Sequence, residues 1–147
     1  MIFIIDEWFW HDLAGENGEE RQKEAFMFLK CIFKICDKIV IMKESPFIKK
    51  FWHFSKTILP EIIKFFKNCF LFNSEKCKLV DYTDKYTLSD VKPDDLYLYN
   101  LYYILEDEID KCVITTDKPL IEVFRKNGLK IEYRDEFLKG YLKKCHS

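Results

Sequence analysis

"CVITTDKPLIEVFRKNGLKIEYR", residues 112–134, reads as strand, helix and strand in immediate succession. "CVITT" is a short, mostly apolar run of the kind that fills a strand buried on both faces. "KPLIEVFRKN" follows with apolar residues at helical spacing and a proline at an early, permitted position. Gly128 stands where a helix closes on a left-handed residue, and "LKIEYR" resumes as a strand. Two strands joined by one helix form a parallel crossover, so this stretch argues for an α/β protein with a parallel sheet.

The remaining chain repeats that alternation. "IFII" (2–5) is a strand ending at Asp6, and a polar loop containing Gly15 and Gly18 follows it. Residues 19–36 place Ala25, Phe26, Leu29, Ile32, Phe33 and Cys36 at helical spacing. "KIVIMK" (38–43) is a second strand. "SPFIKKFWHF" (45–54) and "PEIIKFFKN" (60–68) are helices, the first capped by Ser45. Residues 73–93 are weakly patterned apart from a short strand near Leu79 and Val80. A helix resumes over 94–105, and "DEFLKGYLKK" (135–144) is the last one. The expected fold is a single α/β domain, its central, mostly parallel sheet of four or five strands flanked by helices.

The chain has 147 residues, enough to bury a core without disulfides. A formal net charge of −1 argues against holding nucleic acid mainly by global charge, although Lys49, Lys50, Lys56, Lys64 and Lys67 cluster in sequence. The six cysteines contain no CxxC pair, and His11, His53 and His146 lack metal-ligand spacing, which argues against zinc. "MIFIID" is too short and too unflanked for a secretion signal, and no apolar run approaches the ~20 residues of a membrane span. A soluble protein of a reducing cytoplasm is expected. Only four glycines occur, and no phosphate-binding glycine loop follows a strand.

In open parallel sheets, sites form beyond the carboxyl ends of the strands, where the winding reverses. Asp6, Glu44 and Asp117 each follow a strand, and Asp94 and Asp95 open the helix before "CVITT". Each has a plain structural use. Asp117, Asp94 and Asp95 can cap helices, and Glu44 can favour a helix N-terminus electrostatically. If the strands of Asp6 and Asp117 are neighbours, their carboxylates converge at one end of the sheet, and that is harder to explain by capping. Two carboxylates ~5 Å apart repel by roughly 3 kcal/mol at an effective dielectric near 20. A hard divalent cation, Mg²⁺ or Mn²⁺, removes the repulsion by accepting carboxylate oxygens.

This order of elements, with "FIID" ending in Asp6, "KPDDLYLYNLYYIL" containing Asp95 and "VITTDKPLIEVFRKNGLKI" containing Asp117, resembles the PIN-domain family. The resemblance spans nearly the whole chain and implies a metal-dependent endoribonuclease acting on single-stranded RNA. On it, Asp6, Asp95 and Asp117 would ligate Mg²⁺ or Mn²⁺, and Thr115 would orient a ligand or water. For toxin members of the family it also implies a partner antitoxin protein.

The family's further helix acid is absent from "FIKKFW" (47–52), which offers Lys49 and Lys50. Glu44 is its candidate replacement, Asp94 competes with Asp95, and Asp135 is a more distant spare. A PIN-like module without catalysis, binding RNA or a protein, therefore stands as the alternative. Trp8 and Trp10 in "EWFWH" either stack on unpaired bases, each worth roughly 1–3 kcal/mol, or pack under the loop or in a homodimer contact. Glu7 is either an acid supporting Asp6 or a surface residue.

Overall fold

The computed structural model describes residues 1–145, so His146 lies outside the described residues. The chain runs β1 (Ile2–Ile5), α1 (Trp8–Leu13), α2 (Glu19–Lys34), β2 (Lys38–Met42), α3 (Pro46–Phe54) and α4 (Pro60–Phe66). A π-helical turn (Lys67–Leu71) prolongs α4. Then follow β3 (Cys77–Val80), a 3₁₀ turn (Pro93–Asp95), α5 (Leu96–Ile104), β4 (Lys111–Thr115), α6 (Lys118–Lys126), β5 (Ile131–Tyr133) and α7 (Arg134–Lys144).

The five strands form one sheet in the order β3-β2-β1-β4-β5, and every neighbouring pair is parallel. This is the α/β architecture expected from the alternation of strands and helices. From β1 the winding proceeds outward through β2 to β3, whereas β4 and β5 build on the other side. The winding therefore reverses between β1 and β4, the place where an open sheet parts its loops to leave a crevice.

Both central strands are wholly buried, which explains their unbroken apolar character. Phe3 lies against Phe28 of α2 and against Phe137 and Tyr141 of α7, with ring centroids 5.3–5.5 Å apart in edge-on arrangements.

The segment after β1 departs from the expected loop. Residues 8–13 form α1, whose Trp8, Phe9, Trp10 and Leu13 are buried. Trp10 is fully enclosed among Phe47, Phe51 and Phe66. Trp8 donates its indole N–H to the Ile114 carbonyl at 2.9 Å. Both indoles thus belong to the core, and their burial removes them as platforms for unpaired bases.

Cys31 of α2 and Cys145 are joined as a disulfide, leaving Cys36, Cys69, Cys77 and Cys112 as free thiols. Nothing in the cysteine spacing anticipates this pair. No helix among the described residues is long and apolar enough to cross a membrane.

Candidate functional site

The candidate site is built at the reversal of winding. Asp6 continues the β1 ladder by donating its backbone N–H to the Ile114 carbonyl at 3.2 Å, so its side chain is held at the tip of the β1–β4 pair. Its Oδ2 accepts the Thr115 hydroxyl at 2.7 Å. Its Oδ1 accepts the Glu7 N–H at 2.7 Å and the Tyr97 hydroxyl of α5 at 3.4 Å. Thr115 is wholly buried, and its oxygen in turn accepts the Asp117 N–H at 3.1 Å. One hydroxyl therefore ties the end of β1 to the turn after β4.

Asp117 caps α6, its Oδ1 accepting the Leu120 N–H at 3.1 Å. That use occupies one carboxylate oxygen and leaves the other for a ligand. Asp95 stands at the N-cap position of α5, yet its side chain makes no capping bond. The plain structural explanation for this acid therefore fails.

The electrostatics join these residues. Burial pushes the Asp95 carboxyl up to about 6, and the charges of Asp6, Asp117 and Glu7 push in the same direction. Asp6 is also raised, chiefly by burial and slightly by Asp117, against the lowering effect of its hydrogen bonds from Thr115, Glu7 and Tyr97. Glu7 is raised by burial and by Asp6, while Lys50 and His11 oppose the shift. The Tyr97 phenol, buried beside these acids, is held well above its ordinary value and remains a donor.

Asp6, Glu7 and Asp117 all bear on Asp95 electrostatically and so form one acidic set, with Thr115 and Tyr97 as its hydrogen-bond support. Glu7 is the member that sequence leaves undecided. Its signal is adjacency to Asp6, whereas the lowering influence of the Lys50 charge on its carboxyl arises only in the fold.

The other candidates lie apart. Glu44 is exposed and adopts a left-handed backbone (φ 63°), and no hydrogen bond or ion pair among the described residues ties it to the set. Asp94 is exposed and acts on the set only through Glu7. Asp135 is engaged elsewhere, paired with Arg21 and Arg134 at 3.0 and 3.1 Å. It is not a spare acid for this site.

Two features bear on what the set can hold. As placed, no three His, Cys, Asp or Glu side chains among the described residues stand as a ready ligand group for a metal ion. The donors nonetheless suit a hard cation in kind, being carboxylates, three of which (Asp6, Glu7 and Asp95) are raised by burial and neighbouring negative charge. The surface clefts of about 660 and 750 Å³ are lined by β3 and α6 residues and include none of these acids. Comparison with known proteins found no family model, no curated protein and no solved structure that matches this chain.

Proposed function

We propose that this protein is a PIN-like, divalent-metal-dependent endoribonuclease whose centre comprises Asp6, Asp95 and Asp117, with Glu7 at its margin. The observation that carries this reading is the upward shift of the Asp95 carboxyl at the reversal of winding, due first to burial and then to the charges of Asp6, Asp117 and Glu7. Uncompensated carboxylates at such a position are costly to a fold, and a cation relieves the cost.

Asp6, Asp95 and Asp117 would hold Mg²⁺ or Mn²⁺. Once bound, the ion would supply positive charge where a phosphodiester gathers negative charge during hydrolysis. The chain's own part is positioning. Thr115 fixes the carboxylate plane of Asp6 and the backbone of Asp117 through one oxygen. Tyr97 keeps its proton and steadies the other oxygen of Asp6. Lys50, whose charge acts on Glu7, would provide a cation for an incoming phosphate.

RNA is the proposed substrate and the cytoplasm the proposed location.

The test is cleavage of unstructured RNA in Mn²⁺ by the parent and by Asp117→Asn. Asparagine remains a good helix cap, so the variant should fold like the parent and lose about 10²-fold or more in rate, as when a group stabilising transition-state charge is removed. Equal rates, or an inert parent on diverse RNAs, overturn the reading.

A second reading, a PIN-like module that binds without cutting, is favoured by the lack of a ready ligand group and by lysines where a further acid is expected. Calorimetric titration with Mn²⁺ separates the two. Heat that disappears in Asp6→Asn supports the enzyme, and silence at millimolar metal supports the module.

A further inference from the structure

Of the three tryptophans, the core encloses two. Trp8 is 6% exposed and Trp10 fully buried, whereas Trp52 is 51% exposed on α3. It stands among positive charges. Between Phe47 and Asn68 five lysines face a single acid, Glu61, a surplus of four positive charges in a chain whose formal net charge is −1.

Lys49, Trp52 and His53 occur three and four residues apart, share the outward face of α3 and are all exposed. Lys56 follows one turn later, also exposed. The Lys67 ammonium, carried by the π-helical turn, lies 5.4 Å from the Trp52 ring centroid. Lys56, Lys64 and Lys67 border an open cleft of about 520 Å³ floored by Ile58, Pro60 and Ile63. Among the described residues, no carboxylate forms an ion pair with Lys49, Lys56 or Lys64.

We infer that this face of α3 and α4 is a binding track for a single-stranded nucleic acid, with Trp52 stacking on a base and Lys49, Lys56, Lys64 and Lys67 contacting phosphates. An exposed indole offers a π face to any unpaired base, and a row of unpaired ammonium groups matches the phosphate backbone beside it. The cation–π contact with Lys67 holds the ring in place and sets an ammonium next to the phosphate of a stacked nucleotide. Lys50, on the same helix, continues the positive charge to Glu7 at the acid set. The inference shares its ligand class with the nuclease reading but stands on different residues.

The test is fluorescence anisotropy of labelled oligouridylate and oligothymidylate of about 12 nucleotides, a length within known single-strand site sizes. It is run in EDTA, so that the acid set contributes no metal. Trp52→Ala should bind about 5- to 100-fold more weakly than the parent, and Trp52→Phe should recover most of the loss. Replacing Lys49 and Lys56 with glutamine should lower the slope of log affinity against log salt by about 1.4, because two phosphates then keep their counterions on binding.

Matching melting temperatures show that the exposed substitutions leave the fold intact. Comparable binding of both strands assigns the track to single-stranded nucleic acid in general, and preference for the uridylate assigns it to RNA. The inference is overturned if the parent does not bind, if Trp52→Ala binds like the parent, or if a duplex of equal length binds as tightly as the single strand. An inert parent in the cleavage assay would remove the nuclease reading and leave this one standing. Unchanged binding by Trp52→Ala would do the reverse.

Discussion

Two groups of acids flank β1, and they are resolved in opposite ways. Asp12 of α1, only 1% exposed, accepts the Arg134 guanidinium at 3.0 Å, and the same guanidinium reaches Glu24 at 3.2 Å and Asp135 at 3.1 Å. Arg134 is itself 2% exposed and also lies over the Trp8 indole, 5.3 Å from its centroid. This cation fastens α1, α2 and α7 together. At the sheet tip, Asp6 accepts two hydroxyls and a backbone N–H, and Asp117 accepts a backbone N–H. Asp95 makes no capping bond, and none of the three is paired with a guanidinium among the described residues. The contrast separates acids given an internal cation, which lock helices together, from acids left without one, which are those proposed above to take an external cation.

The largest effect should come from breaking the paired group. Arg134→Met leaves Asp12 buried without its cation and should cost about 3–5 kcal/mol, read as a lower urea midpoint. Restoring balance with Asp12→Leu in the same chain should recover part of that loss. If Arg134→Met costs less than about 1 kcal/mol, the pairing does not distinguish the two groups.

A smaller effect is expected at the tip. Thr115→Val removes the donor to Asp6 and the acceptor of the Asp117 N–H and should cost about 1–3 kcal/mol in the same denaturation experiment. Losing a bond to its ionised form should also drive the Asp6 carboxyl further upward, which carboxyl-carbon NMR titration reads directly.

The smallest effect should have the opposite sign. In EDTA, Asp95→Asn should be more stable than the parent by about 1 kcal/mol at neutral pH, a figure reduced for the partial exposure of the side chain. The folded Asp95 holds its proton up to about 6, above its value of 3.8 in the absence of the fold. The parent therefore loses stability as pH rises from about 4 to 6 and stays at the lower level above that range. The advantage of the asparagine should follow the same course, present above pH 6 and gone below about 4. A pH-independent difference would show that ionisation of the half-buried Asp95 beside its acidic neighbours is not its source.

The sheet is legible in the sequence because β1 and β4 are buried on both faces and therefore read as unbroken apolar runs. Asp6, Thr115 and Asp117 are legible because strand ends are where such sheets place polar groups. Helix α1 is not legible, since "WFWHDL" has no side-chain cap and is buried on almost every side, which erases the amphipathic period. The π-helical turn is hidden too, because the residues after Phe66 continue an ordinary helical pattern.

Arg134 reads in sequence as no more than the end of a strand, for its meaning depends on Asp12, 122 residues earlier. The disulfide partner of Cys31 lies 114 residues on, a connectivity that spacing alone does not encode. Asp95 is visible as an acid, but the proton affinity that singles it out arises only when α5 meets the tip of β1.

The central position of β1 in the strand order has a consequence for synthesis. Asp6 and Thr115, joined by one hydrogen bond, are 109 residues apart. At roughly 5–20 residues per second, some 5–20 seconds separate the translation of the two. Throughout that interval the sheet's middle strand lacks one neighbour, and Phe3 lacks the cover of Phe137 and Tyr141. Non-local pairing of this kind slows folding and leaves apolar backbone open to wrong partners. β1 is thus made well before β4 completes its pairing, and Asp6 meets Thr115 only when that closure is complete.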